Sequence, residues 1–184
     1  MRKKIEKDHS SDQQLPRLGT APYLRLMEDS ASKDTKRTAA HSGLLLLWIS
    51  DNILDLVELH LSPYGISESK LDLLMLLYLH QDKPDITPSA IASRLGIRRA
   101  SATALLDWLE KRSWIERRTS EQNRRMVHVR LTTEGRKLIE EALPAFWRSC
   151  ASFIDDLDQE EQDLLQKLLV KLNASLEKKL GVGR

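Results

Sequence analysis

Apolar residues follow a helical period over most of the chain and switch to strict alternation in one place. From about residue 38 to 61, Leu44, Leu45, Trp48, Ile49, Leu56 and Leu59 recur at three- and four-residue spacing, with Asn52 and His60 on the same stripe, which predicts a long helix. Leu46, Leu47, Ile53, Leu54 and Val57 widen its apolar surface past one stripe. A helix apolar on two sides needs two partners, such as its own core and another subunit. Ser62-Pro63-Tyr64-Gly65 breaks it, and a second helix follows over about 67–79 with Ser67 as its N-cap. Lys83-Pro84-Asp85 is a loop, after which Thr87 and Pro88 form a cap followed by proline at the first helical position. That short helix ends at Gly96, and the next begins at Arg99 or Ala100 and runs to Arg112 with Ala102, Leu105, Leu106 and Leu109 as its apolar positions.

The period then becomes two. Residues 114–118 and 125–131 read as strands, with Val127, Val129 and Leu131 alternating with His128 and Arg130, and the polar stretch 119–124 joins them into a hairpin. Thr132 and Thr133 cap a helix reaching about Phe153, in which Pro144 should cause a kink or an interruption. After an acidic break at 155–158, a last amphipathic helix over about 159–179 carries Leu164, Leu165, Leu168, Leu169, Leu172 and Leu176. Residues 1–36 hold no sustained period and read as a mobile polar arm, within which Tyr23, Leu24, Leu26 and Met27 suffice for one docking helical turn. The fold class is therefore mainly α with a small β-hairpin wing: a winged helix-turn-helix core between long N- and C-terminal dimerisation helices. The segments are the arm at 1–36, an N-terminal dimerisation helix at 38–66, the winged helix-turn-helix lobe at 67–135, and C-terminal dimerisation helices at 136–180.

Composition sharpens this by exclusion. With 184 residues, 41% of them hydrophobic, the chain is long enough for about one domain plus extensions. Its longest apolar run, Leu44 to Ile49, falls far short of the ~20 residues that span a bilayer. No apolar segment follows the basic start, so a cytoplasmic location without membrane association is expected. One cysteine, Cys150, excludes an internal disulfide framework, and the five histidines show no metal-ligand spacing. No nucleophile elbow, phosphate loop or zinc-protease motif occurs, so neither an enzyme nor a cofactor is expected.

Net charge is only +2, but it is unevenly placed. Residues 91–130 hold ten basic and four acidic side chains, a net of +6 that leaves the rest of the chain at −4. Nine of the ten are arginine, suited to bidentate contacts with phosphate or guanine. A solvated charged face would show the same count. The order short helix, glycine turn, second helix, basic hairpin tips the reading towards double-stranded DNA. The residues expected to meet the major groove are Arg98, Arg99, Ser101, Ala102 and Thr103, where small Ala102 would permit close approach. From the wing, Arg118, Asn123, Arg124 and Arg125 are the candidates.

These residues also carry a family resemblance. Ile86-Thr87-Pro88-Ser89-Ala90-Ile91-Ala92-Ser93-Arg94-Leu95-Gly96-Ile97, then Leu109-Glu110-Lys111-Arg112, Asn123-Arg124-Arg125 and Val129-Arg130-Leu131-Thr132-Thr133-Glu134-Gly135, resemble the MarR (multiple antibiotic resistance regulator) family of transcription factors. The core likeness covers residues 71–139, and the flanking helices extend it to about 38–179. The resemblance implies a homodimer on a pseudo-palindromic site, two recognition helices about one DNA turn apart and wings in the flanking minor grooves. It also implies a transcriptional regulator, a repressor, whose DNA binding responds to a small aromatic ligand or another signal. Two positions depart from the family pattern: Asn123 replaces the usual Asp, and Ser113 replaces the usual glycine before the wing.

Trp48, His60, Tyr64 and Tyr78 are candidates for an effector pocket, set against ordinary core or surface roles. Cys150 reads as a packed, inert thiol rather than a redox sensor. The competing reading of the whole chain is a winged-helix architectural or protein-interaction module without sequence-specific binding. That alternative predicts apolar side chains at the start of the recognition helix, where this chain has Arg98, Arg99, Ser101 and Thr103.

Overall fold

The computed structural model describes residues 19–83, 86–119 and 126–181. The chain forms two compact units, Met1–Ser50 and Asp51–Arg184. The elements in chain order are α1 (Ala21–Ser30), α2 (Arg37–Leu61), α3 (Glu68–Leu79), α4 (Pro88–Leu95), α5 (Arg99–Glu110), β1 (Ile115–Thr119), β2 (Val127–Leu131), α6 (Thr133–Ser152) and α7 (Gln159–Leu180).

In the N-terminal unit, α1 is a ten-residue helix rather than a single turn. Tyr23 meets Trp48 of α2 edge-on, with ring centroids 5.3 Å apart. Leu24 and Met27 are half-buried, and no residue of the helix is fully buried.

The larger unit is built around Leu61, Leu71, Leu74, Leu77, Ile91, Leu106, Leu109, Ile115, Val129 and Ile139, each buried to 2% exposure or less. Each such side chain stabilises the fold by roughly 1.5–3 kcal/mol through lost water contact. Helix starts and stops follow the sequence signals. Thr87 accepts a hydrogen bond from the Ala90 amide at 3.2 Å, and Gly96 closes α4 in the left-handed region at φ 67°. Asp158 and Glu161 form a reciprocal capping box at the start of α7, which explains the acidic break before it. Ser67 stands at the N-cap of α3, but its hydroxyl is taken by Lys70 Nζ at 2.8 Å, and Glu58 accepts from the Glu68 amide instead. Pro144 does not interrupt α6. Pro144 and Glu140, whose carbonyl loses its helical partner, both lie on the exposed side of the helix, where water can take the place of the missing amide.

The two strands pair antiparallel, from Ile115 opposite Leu131 to Thr119 opposite Val127. The Ile86 carbonyl adds one bond to the Val129 amide at 2.8 Å, tying the segment before α4 to the hairpin. Ser113 links α5 to β1 with φ 59°, the one positive φ outside glycine among the described residues. Its amide donates to Glu110 O at 2.8 Å and the Trp114 amide to Leu109 O at 3.1 Å, a Schellman closure whose left-handed position favours glycine. Ser113→Gly should therefore raise stability by about 0.5–1 kcal/mol, the relief of side-chain strain being partly offset by glycine's freedom in the unfolded chain. Thermal unfolding checks this, and a lowered Tm would show that the serine side chain makes a compensating contact.

Candidate nucleic-acid interface

The α4–α5 pair reaches its geometry through the residues that face inward. Ala102, Leu106 and Leu109 anchor α5 on the core, which leaves Arg99, Ala100, Thr103, Ala104 and Asp107 exposed. Arg98 sits at the N-cap with extended backbone and is exposed, as is Ser101. Arg98, Arg99, Ser101 and Thr103 are thus together at one exposed helix start. Thr103 Oγ1 bonds back to the Arg99 carbonyl at 3.0 Å, which fixes its rotamer. Ala102, expected at the groove, does not join them: at 1% exposure it packs inward, and its small size serves helix packing, not approach to a base.

In the hairpin, Arg118 is exposed and forms a two-pronged pair with Glu116, Nε to Oε1 at 2.9 Å and Nη2 to Oε2 at 2.9 Å. Such an exposed pair contributes little and can open towards a phosphate. Asn123, Arg124 and Arg125 lie outside the described residues. Arg117, in the sequence one more positive charge of the hairpin, is engaged inward. Its guanidinium meets Asp107 Oδ1 at 2.6 Å and lies 3.7 Å from Glu110 Oε2. No local signal finds this, because the partners lie seven and ten residues away on another element.

The base of the hairpin is held by one threonine. Thr132 Oγ1 donates to the Ser113 carbonyl at 2.6 Å, its amide donates to Trp114 O at 3.1 Å, and the same hydroxyl oxygen accepts from the Gly135 amide at 3.0 Å. Trp108 stands beside Trp114, ring centroids 5.5 Å apart, with Arg112 stacked 3.4 Å from its ring and Lys70 at 4.5 Å.

The four candidate effector residues separate. His60 and Tyr64 line one cleft of about 480 Å3 together with Leu59, Pro63, Ala145 and Arg148. There His60 Nδ1 lies 2.8 Å from the Oγ of buried Ser149, joining the end of α2 to α6. Trp48 belongs to the N-terminal unit with Tyr23. Tyr78 is also outside that cleft: its hydroxyl donates to Glu140 Oε1 at 3.2 Å, and Arg136 faces its ring. A second, more apolar hollow of about 430 Å3, lined by Leu76, His80, Lys83, Ile86, Ala90 and Arg94, was not expected from the sequence. It joins residues of two helices and a loop that share no motif. Cys150 is a free, partly buried thiol whose pKa is raised, burial outweighing a hydrogen bond to its own backbone. Less thiolate forms at neutral pH, so slow alkylation by iodoacetamide is expected, and reaction as fast as a free thiol would contradict this placement.

Among the described residues no helix is long and apolar enough to cross a membrane. The sequence profile of the MarR family matches residues 66–127. The HTH-type transcriptional repressor YetL of Bacillus subtilis is 31% identical over 126 residues, 68% of this chain and 75% of that protein. The transcriptional repressor MprA of Escherichia coli is 35% identical over 117 residues, 64% of this chain and 66% of that protein. The crystal structure of the S. aureus MepR–DNA complex superposes with a TM-score of 0.64 at 27% identity, covering 72% of this chain and 96% of MepR. The winged helix with its arginine-bearing α5 and the extent of this likeness agree: the chain belongs to the MarR family of DNA-binding transcriptional regulators.

Proposed function

We propose that the protein is a homodimeric, sequence-specific repressor whose DNA binding is weakened by a small aromatic effector. The observation that carries this reading is the exposed start of α5, where Arg98, Arg99, Ser101 and Thr103 face outward while Ala102, Leu106 and Leu109 hold the helix to the core. Placed in a major groove, Arg99 reads base edges and Arg98 meets phosphate. The wing, with Arg118 on β1 and Arg124 and Arg125 beyond it, takes the adjacent minor groove. Repression is the named role of YetL and MprA.

Dimerisation is supported by apolar surface that one subunit leaves in water. Leu164, Leu168, Leu169, Leu172 and Leu176 of α7 are each more than 40% exposed, and Leu45, Leu46, Leu47 and Ile49 of α2 are likewise uncovered. A soluble monomer rarely carries such a stripe, whereas an obligate dimer buries it. A two-fold pair of recognition helices then selects a pseudo-palindrome with half-sites about one helical turn apart. The effector reading is supported by the His60–Tyr64–Arg148 cleft, which offers polar groups over an apolar floor where α2 meets α6.

The test is a reporter fused to the gene's own upstream region. Deleting the regulator should raise expression, and restoring the wild-type chain should lower it. Expression that falls on deletion would mark an activator, and unchanged expression would count against regulation at that site. Sedimentation of the pure protein should give a dimer, and Leu169→Glu with Leu172→Glu should give monomer or aggregate.

A further inference from the structure

We propose that Arg117 is a positioning residue for DNA binding, tying the recognition helix to the wing through Asp107, Glu110 and the Thr103 carbonyl. The inference rests on α5 being the DNA-reading helix. Arg117 follows buried Ile115 by two residues on β1, so its side chain points to the face of the strand that covers α5. The single guanidinium then meets three groups on one side of that helix. Nη1 pairs with Asp107 Oδ1 at 2.6 Å, Nη2 donates to Thr103 O at 3.4 Å, and Nε stands at ionic range, 3.7 Å, from Glu110 Oε2. Glu110 Oε1 accepts in turn from the Arg117 amide at 3.2 Å, so the strand backbone is held as well. The arginine side chain is 23% exposed, well covered for a residue so close to an exposed face.

The arrangement has two consequences for recognition. It fixes the angle between α5 and the hairpin, so that groove-reading and wing contacts are made in one register. It also neutralises Asp107, the one acid among the exposed residues on the outer face of α5, which would otherwise face the phosphates. Arg117 thus contributes its charge to two carboxylates instead of to DNA. Only a planar fork can serve two carboxylates and a carbonyl together, so lysine is not a substitute.

The experiment titrates the full-length wild type, Arg117→Lys, Arg117→Ala and Asp107→Asn against a duplex from the gene's own upstream region, at several salt concentrations below all Tm values. Arg117→Lys and Arg117→Ala should each weaken binding about ten-fold or more while leaving the slope of log affinity against log salt unchanged. Asp107→Asn should also weaken binding, although it removes a negative charge from the face that meets DNA. Tighter binding by Asp107→Asn overturns the proposal. So does wild-type affinity in Arg117→Lys, or a salt slope lowered by about one in Arg117→Ala, which would mark a phosphate contact. Should Arg117→Ala fail to fold, the exposed Asp107→Asn change decides the matter alone. A wild-type chain that binds no duplex overturns the underlying DNA reading, and that is seen in the wild-type titration by itself.

Discussion

Gly135→Ala should destabilise the protein by about 3 kcal/mol or more, lowering Tm by roughly 6–12 °C. Gly135 is fully buried in the first turn of α6, and a β-carbon there would overlap the Trp114 carbonyl oxygen and crowd Leu131 Cδ2 at 3.1 Å. The first obstacle does not give way cheaply. The Trp114 carbonyl is backbone and accepts from the Thr132 amide at 3.1 Å. Moving α6 aside would also pull the Gly135 amide from Thr132 Oγ1, a helix cap worth about 1 kcal/mol, and loosen the Thr132 bond to Ser113. The glycine is required for close approach, since its φ lies outside the left-handed region. Gly43→Ala is the control: Gly43 lies within α2 with nothing within 4 Å of a built β-carbon, and the change should stabilise by roughly 0.5–1 kcal/mol. Circular dichroism melts of both variants check the pair. A Gly135→Ala protein that melts with the wild type would mean that α6 does not press on the hairpin base as described.

Arg99→Ala should weaken binding to the preferred duplex by about 1–3 kcal/mol, roughly ten- to a hundred-fold, while scarcely changing binding to a scrambled one. Arg99 opens α5, is exposed, and stands next to the N-cap, the end of a recognition helix that meets base edges. Arg98→Ala should instead weaken both duplexes alike and lower the salt slope by about one, since an N-cap side chain meets the backbone at the groove's edge. Neither change should alter Tm, because neither side chain is buried. Competition binding against the two duplexes separates these effects. A loss of equal size on both duplexes for Arg99→Ala would move it from reading bases to holding phosphate.

Much of this fold is legible in local chemistry. Thr87-Pro88 and Gly96 delimit α4 because capping and left-handed closure depend on the residues themselves. The alternation of Val127, Val129 and Leu131 marks β2, with Val129 inward and buried as a half-exposed strand requires. Ser113 stands where the family pattern has glycine, which suggests a turn of different shape, yet the backbone keeps the left-handed φ that a glycine would take. What escaped depended on contacts across elements. Ala102 fits a DNA-facing surface and a tight helix packing equally well by size, and only its place over the core decides. Arg117 looks like its neighbour Arg118, yet strand alternation turns one towards α5 and the other outward to Glu116. Among the effector candidates, His60 and Tyr64 share a cleft because α2 ends beside α6, whereas Tyr78 is drawn to Glu140. Of the kink or interruption that Pro144 predicts, the interruption does not occur, because an exposed helix side tolerates a missing amide.

If α5 and the hairpin form a sequence-reading DNA surface, the protein must distinguish its own operator from other duplexes. Fluorescence anisotropy of the purified protein against its own upstream intergenic duplex and a scrambled duplex, at two salt concentrations, measures this. Tight, salt-dependent binding is expected, with a preference of about a thousand-fold or more for the native sequence. Equal affinity for both duplexes would contradict it and leave an architectural DNA binder, and no binding to either would return the fold to a protein-interaction role.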